Sequence, residues 1–512
     1  MEPYFKITKY SHFFSVTNIK PDGLSLLLKF SVRYVQKTFV REGGKNVLKP
    51  TKVFAGRVGS DEFRFHIGQY DDFIKFLLNL GFTHDYFTVD VAPLYIPATY
   101  DYVVNPKYEE REYQRKIIDF LVDSDINDNR SRMVGLYTGG GKGVVSLSAI
   151  SKLKTRAMVI ILPKYGLKWC KEITEVLDVK PEEVLYIQGN KDLRSLMHLS
   201  IEEDIQAKFI VVSLTTIQNL YNDFKEYGDD ITSYGYPYKP EDMFKHLKIG
   251  AIIFDEVHQH LHGVFKVLLH THVPKVIALS ATLMSDDLFI NNMQHIMFPK
   301  EIRYTNVQMK KYIKVRVFSY SFKDFNTIKK IRTTARGSNV YSHIEFEKSI
   351  MRNKGLLNNY LNLIDKLLHI NFLDTYTKGD KAIIFAASIA MCNEIVKYLK
   401  NKFPSMDIRR YVEDDPYENV IDAEIRVSTI LSSGTAVDIP NLTTAIMTNS
   451  IQSPVANLQA LGRLREIKDK DVTFCYIYNK QIPKQVDYHF RKKELFNDRI
   501  ASLKEYAMPE GI

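Results

Sequence analysis

Two tandem α/β domains, each built on a parallel sheet and preceded by a small N-terminal α+β module, are predicted for this 512-residue chain by three observations. Short, almost wholly apolar runs recur with helical stretches between them, these runs fall into two separate series, and the chain before residue 106 lacks that texture. A strand covered by helices on both faces loses the alternation of a half-exposed strand and reads as a continuous hydrophobic run. The first series comprises residues 134–137, 157–162, 209–213, 251–254 and 275–279, and the second comprises 381–385, 425–429, 444–448 and 472–476.

The predicted organisation is a module over 1–105, a first α/β domain over 106–290, a connector and the start of the second lobe over 291–375, and a second α/β domain over 376–512. In the module, residues 24–35 alternate Phe30, Val32 and Tyr34 with Ser31 and Arg33, which predicts a strand. Residues 71–80 place Phe73, Ile74, Phe76, Leu77 and Leu80 on one helical face that Gly81 closes. Gly43-Gly44 predicts a hairpin turn surrounded by Lys37, Arg41, Lys45, Lys49 and Lys52. Such a hairpin either carries a basic tip to phosphates or is a solvated ribbon whose lysines protect its edge. Arg57, Arg64 and His66 extend the same basic surface. The connector is basic too, with Lys310, Lys311, Lys314, Lys329, Lys330, Arg332 and Arg336.

Lys and Arg outnumber Asp and Glu by 70 to 60, a formal charge of +10, which favours a polyanionic partner through counterion release. The three cysteines, Cys170, Cys392 and Cys475, are too dispersed for a disulfide framework or a CxxC metal site and read as small buried hydrophobes. Neither an apolar leader at the start nor a membrane-length apolar stretch occurs, so a cytoplasmic protein is expected.

Chemistry enters at the ends of the predicted strands. After 134–137 comes Thr138-Gly139-Gly140-Gly141-Lys142-Gly143 and then a helical stretch. Glycines let backbone N–H groups curl around phosphate oxygens, the helix N-terminus adds partial positive charge, and Lys142 reaches the outer phosphates. Gly143 stands where such loops usually carry a Ser or Thr hydroxyl for Mg²⁺. The ion would then be held by acids and water, or by a nearby hydroxyl such as Thr138 or Ser146. After 251–254 the chain delivers Asp255-Glu256-Val257-His258. Asp255 can orient Mg²⁺ through its water shell, and Glu256 can polarise an attacking water as general base.

Together with Ser280-Ala281-Thr282 after the next strand, the loop with Lys142 and the Asp-Glu-Val-His box resemble motifs I, II and III of superfamily 2 helicases of the DExH type. The resemblance implies two RecA-like motor domains, ATP hydrolysis with Mg²⁺, and coupling of nucleotide state to domain closure through Ser280, Thr282 and His258. Arg111-Glu112-Tyr113-Gln114 resembles the element upstream of motif I, in which the Gln114 amide pairs with the adenine edge and Arg111 belongs to the same nucleotide pocket. Pro163 and Lys164, followed by Trp169, resemble motif Ia, and Ser213, Thr215 and Thr216 resemble the next strand-end motif. Both motifs contact the nucleic-acid backbone in that family. In the second domain, residues 433–440 with Gly434, Thr435 and Asp438 resemble motif V. The stretch from Gln459 through Arg463 to Arg465 resembles motif VI, which delivers an arginine to the γ-phosphate across the cleft. Arg463 takes that role first, because the last arginine of the pattern is displaced: Glu466 stands in its place and Arg465 one residue earlier.

The overall plan is similar to the phage UvsW group of branch-migration helicases. This implies ATP-driven movement on duplex or branched DNA, remodelling forks and four-way junctions in recombination, repair or replication, by a monomer in the cytoplasm (the host's, if the chain is viral). Two other readings stay open: an RNA helicase or transcript-release factor, since these motifs do not read the sugar, and a non-hydrolysing DNA-binding or annealing protein, motivated by Gly143 and the displaced arginine. Residues 221–241, rich in tyrosine and glycine, predict a loop-like insertion whose rings either stack on bases or pin the loop to its own domain. Residues 488–506 predict an amphipathic helix bearing Arg491, Lys492 and Lys493.

Overall fold

A computed structural model describes residues 3–42, 45–58, 61–108, 110–123, 129–136, 140–280, 287–305, 311–335, 340–412, 415–416, 418–430, 439–509 and 511–512, with backbone alone at 41, 42, 45, 84, 229 and 325. It divides into two compact units, Met1–Val307 and Gln308–Ile512.

The first unit opens with strands β1 (Phe5–Lys9) and β2 (Phe13–Thr17) and helix α1 (Pro21–Ser31). The strand expected over 24–35 is therefore a helix followed by a 3-10 turn, Val32–Tyr34. The physical reason is in the burial. Gly23, Leu26, Leu27 and Phe30 face the core at helical spacing, Pro21 starts the helix and Asp22 sits in its first turn, and these outweigh the short alternation near Phe30. The ribbon β3 (Val35–Glu42) and β4 (Lys45–Val53) forms a separate two-stranded antiparallel sheet. Strands β5 (Gly56–Val58) and β6 (Glu62–His66), helix α2 (Tyr70–Asn79) and β7 (Phe87–Val91) complete a five-stranded sheet of order β5-β6-β2-β1-β7.

This module shares one hydrophobic core with the domain that follows. Phe54 packs its ring 4.8 Å from that of Phe265. His12, fully buried, meets Ser131 Oγ at 3.1 Å and the Val273 carbonyl at 3.2 Å. Gln36, at the foot of the ribbon, donates to Asp287 at 2.6 Å. The basic surface expected from Arg64 and His66 is absent for the same reason. Both are buried, and Arg64 pairs with Glu241 of the next domain at 2.6 Å, whereas Arg57 is exposed.

The first α/β domain continues through α3 (Glu112–Val122), β8 (Ser131–Gly135), α4 (Lys142–Leu153), β9 (Ala157–Ile161), α5 (Gly166–Val176), β10 (Val184–Ile187), β11 (Phe209–Ser213), β12 (Ala251–Phe254), β13 (Lys275–Ser280) and β14 (Arg303–Tyr304). Its seven strands are all parallel, in the order β10-β11-β9-β12-β13-β8-β14. The segment expected as a loop over 221–241 is instead the end of a helix, Leu214–Tyr227, then a 3-10 stretch and the helix Pro240–His246. Tyr221, Phe224, Tyr236 and Tyr238 are buried there and Tyr227 stacks on Tyr234, so the rings pin the segment to its own domain.

The second unit is a second seven-stranded parallel sheet. It is formed by β15 (Ile313–Tyr320), β16 (Lys381–Ala386), β17 (Ile408–Tyr411), β18 (Ile425–Thr429), β19 (Leu442–Met447), β20 (Val472–Asn479) and β21 (Ser502–Ala507), in the order β17-β18-β16-β19-β20-β15-β21. Apolar cores lie on its two faces. The single helix expected over 488–506 is a helix, Pro483–Phe496, followed by β21, because the last residues gain more by pairing along β15 than by further helical turns. Two all-parallel, helix-covered sheets behind an α+β module are the tandem RecA-like arrangement that the resemblance implied. Cys392 and Cys475 are buried as expected, while Cys170 is only partly so. Among the described residues, no helix is long and apolar enough to cross a membrane.

Candidate active site

The chemistry-bearing residues of the first unit gather beyond the C-terminal ends of its strands, where an open parallel sheet holds its ligands. The loop after β8 enters α4 through Gly140 and Gly141. Gly141 has φ +81°, and a Cβ there would lie 2.4 Å from Gln114 Nε2, so both backbone and space demand glycine. The N-terminus of this 12-residue helix directs unspent N–H groups toward the loop mouth.

Gln114 and Tyr113 brace the loop. The Gln114 Oε1 accepts the Arg111 backbone N–H at 2.9 Å, capping α3, while its Nε2 donates to the Gly140 carbonyl at 3.4 Å. The Tyr113 hydroxyl donates to the same carbonyl at 3.1 Å. Arg111 itself is exposed.

Lys142 is ion-paired with Glu256 and lies 3.6 Å from Asp255 Oδ1. Burial opposes its charge, but the Glu256 and Asp255 carboxylates outweigh burial and hold its pKa above the usual lysine value. Burial raises the Asp255 carboxyl above the ordinary carboxylate range, against the pull of Lys142. Asp255 is fixed by two hydrogen bonds: Oδ1 accepts the Glu256 N–H at 2.9 Å, and Oδ2 accepts the Trp169 indole N–H at 3.2 Å. Glu256 has a left-handed backbone, φ 52° and ψ 44°, at a cost of about 1–2 kcal/mol for a residue with a Cβ. In this conformation its side chain meets Lys142, and functional sites are where such strain is kept.

The Glu256 Oε2 atom is buried without a hydrogen-bond partner, 3.4 Å from His258 Nδ1. His258 also meets Ser280 Oγ at 2.9 Å, joining the ends of β12 and β13. Burial, helped by Lys142, pushes the His258 imidazole down to about 3, so it is neutral in this pair.

These residues fit ATP with Mg²⁺. The acids offer hard oxygen donors, one of them an orphaned buried oxygen, beside a lysine and a helix N-terminus that suit phosphate. Of the two hydroxyls expected to stand in for the one missing at Gly143, Ser146 is turned into its own helix. It is fully buried and donates to the Gly143 carbonyl of its own helix at 3.0 Å. Thr138, Gly139, Thr282, Gly434, Thr435 and Asp438 lie outside the described residues, as do Gly43, Gly44 and the side chains of Arg41 and Lys45.

A residue that sequence reasoning missed stands beside Gly143. A Cβ built on that glycine would lie 1.8 Å from Glu172 Oε1 and 2.3 Å from its Cδ. Burial raises the Glu172 carboxyl above its usual range; Lys168 and Lys142 draw it down and Asp255 pushes it up, but burial prevails. Nothing local marks Glu172; only the glycine after Lys142 hints that some neighbour fills the space.

Of the residues expected to touch nucleic acid, Pro163 and Lys164 are exposed on a 3-10 turn after β9. Ser213 and Thr216 are buried: Ser213 Oγ caps its helix by accepting the Thr216 N–H at 3.0 Å, and the two hydroxyls meet at 2.8 Å. Thr215, between them, is exposed. On the ribbon Lys37 and Lys49 are exposed and Lys52 is partly so. In the second unit Gln459 lies on the helix Pro454–Leu461, Arg463 just beyond it is 3% exposed, and the Arg465 guanidinium turns back onto the Gly462 carbonyl.

Two parallel-sheet domains, a phosphate loop whose lysine faces an Asp-Glu pair, and a histidine–serine link to the next strand are the features that the superfamily 2 helicase resemblance implied, and they are those of a nucleic-acid-dependent ATPase. The family described as "Type III restriction enzyme, res subunit" matches residues 107–285, which include the whole constellation from Gln114 to Ser280. The chain is 23% identical over 463 residues, 82% of its length and 92% of the relative's, to the DNA 3'-5' translocase XPB2 of Sulfurisphaera tokodaii. Among solved structures, Dbp5 of S. cerevisiae bound to Gle1 and IP6 superposes with a TM-score of 0.51 at 12% identity, covering 81% of this chain and 96% of that one. The Pyrococcus furiosus Hef helicase domain gives a TM-score of 0.45 at 14% identity over 76% of this chain and 100% of that one.

Proposed function

We propose that this protein is an ATP-driven DNA helicase or translocase that remodels branched DNA, forks and four-way junctions, in recombination, repair or replication. The observation that carries the ATP-driven part of this reading is Lys142 facing Asp255 and Glu256, with Glu256 Oε2 unspent. The likeness to a relative named as a DNA translocase over most of both chains supports DNA as the polymer.

In this reading Lys142 and the backbone of Gly140, Gly141 and Gly143, with Thr138 and Gly139, hold the phosphates of ATP, and Lys142 exchanges its carboxylate partners for phosphate oxygens. Asp255 anchors Mg²⁺, which when bound neutralises phosphate charge. Glu256, through Oε2, accepts the proton of the attacking water. Gln114 reads adenine, Gly434 and Asp438 complete the nucleotide pocket, and Gln459, Arg463 and Arg465 serve the transferring phosphoryl group, with Arg463 the finger. Ser280, Thr282 and His258 report nucleotide state. Pro163, Lys164, Thr215 and Thr435 grip the strand backbone, and Lys37, Arg41, Lys45, Lys49 and Lys52 bring the ribbon to phosphates. Ser213 and Thr216 fix the helix start that presents Thr215.

The test is ATP turnover measured with linear duplex, single-stranded DNA, RNA and a four-way junction, with strand separation read in parallel. The reading expects the greatest stimulation by the junction. Stimulation by RNA alone would assign an RNA helicase, and no stimulation by any polymer would reject both.

A further inference from the structure

The glycine after Lys142 is not required by its backbone. It lies in the first turn of α4 at ordinary helical φ, where glycine costs about 0.5–1 kcal/mol relative to alanine. Its neighbour explains it. Glu172, on the second turn of α5, fills the volume that a side chain at 143 would occupy, with Oε1 1.8 Å, Cδ 2.3 Å and Oε2 3.0 Å from the position of a Cβ. A Ser or Thr directly after the lysine would put its hydroxyl in that same volume. Among the described residues the Glu172 carboxylate makes no hydrogen bond or close ion pair, although it stands within the electrostatic reach of Lys168, Asp255 and Lys142.

We propose that Glu172 takes the place of the absent hydroxyl, supplying a carboxylate oxygen to the coordination sphere of the Mg²⁺ that accompanies ATP. The oxygen that other phosphate loops carry on the loop itself comes here from the neighbouring helix, and Gly143 is small so that it can arrive. A hard carboxylate oxygen suits Mg²⁺ as well as a hydroxyl does, and it brings a full negative charge. Without the metal, that charge repels nucleotide phosphates, so nucleotide binding by this protein depends on the divalent ion more steeply than a hydroxyl would make it. The proposal rests on the ATPase reading above.

Equilibrium binding of a fluorescent, non-hydrolysable ATP analogue, titrated with Mg²⁺ and again with EDTA, tests it without turnover; bound Mn²⁺ counted by electron paramagnetic resonance gives the metal directly. E172A and E172Q are expected to weaken analogue binding in Mg²⁺ by roughly tenfold to a hundredfold. They should leave binding in EDTA unchanged or tighter. G143T/E172A, which restores a hydroxyl in the vacated volume, is expected to recover most of the Mg²⁺-dependent affinity and the bound Mn²⁺. Equal weakening with and without metal, no weakening at all, or no recovery in the double variant would each overturn the assignment. K142A separates this proposal from the reading beneath it: binding by K142A equal to that of the unsubstituted protein would mean that the phosphate site itself is wrongly placed.

Discussion

Arg64 of the N-terminal module sets its guanidinium 2.6 Å from the Glu241 carboxylate of the first α/β domain, with His270 Nδ1 2.8 Å away and both oxygens of Glu62 on its other nitrogens. Burial pushes Glu241 up, but the His270 hydrogen bond and the Arg64 charge prevail and bring it down to about 2. The module and the domain are thus joined by a buried ion-pair cluster as well as by a shared apolar core. Removing one partner of a buried ion pair leaves the other uncompensated, at a cost of about 3–5 kcal/mol. R64A should lower the melting temperature of the first unit by several degrees in calorimetry, and the R64M/E241M double variant should lose less than R64A.

Gln114 spends both ends of its amide, one on the cap of α3 and one on the phosphate loop. Q114A deletes a hydrogen bond of about 1 kcal/mol on each side. Nucleotide affinity, read by fluorescence titration, should fall between about threefold and thirtyfold, given about 1.4 kcal/mol per factor of ten. The helical content should hold.

Lys37 and Lys49 project from a ribbon that is solvent-exposed along most of its described length. If they meet phosphates, K37A/K49A should reduce the slope of log affinity against log salt for duplex DNA by roughly 2 and weaken all sequences alike. An unchanged slope would assign these lysines to edge protection instead.

Glu347 accepts the Ala387 N–H at 2.7 Å and the Ser388 hydroxyl at 2.6 Å inside the second unit. Burial pushes its carboxyl from 4.5 up to about 7, more than those hydrogen bonds hold it down. Between those values the folded state keeps a proton that the unfolded chain has released. Its contribution to stability is therefore full below about 4.5 and is lost as pH rises through about 7, an amount on the order of 3 kcal/mol. E347Q should flatten that part of the profile of denaturation midpoint against pH for the second unit.

Much of this architecture was legible from residues alone because parallel strands buried on both faces have little choice of composition. The runs at 157–162, 209–213 and 251–254 are strands β9, β11 and β12 in the structure. The phosphate loop and the Asp255-Glu256 pair were legible because their chemistry is contiguous in sequence. What escaped is set by partners far along the chain. β14 has two residues and β21 is an edge strand, and each is defined by the strand it pairs with. Residues 24–35 carry a short alternation and a helical stripe at once, and the core, absent from the sequence, decided between them. Arg64 reads as a surface charge until Glu241 is placed beside it. Glu172 could not be assigned without knowing that α5 lies against the loop at Gly143.

Hydrolysis in this protein depends on Glu256 as the base that draws a proton from water beside Lys142, and E256Q tests that role most directly. With saturating ATP and junction DNA, its turnover should fall by about a hundredfold or more, the size of a general-base contribution, while analogue binding stays within a few fold of the unsubstituted protein. Turnover equal to that of the unsubstituted protein would contradict the assignment and place the chemistry elsewhere.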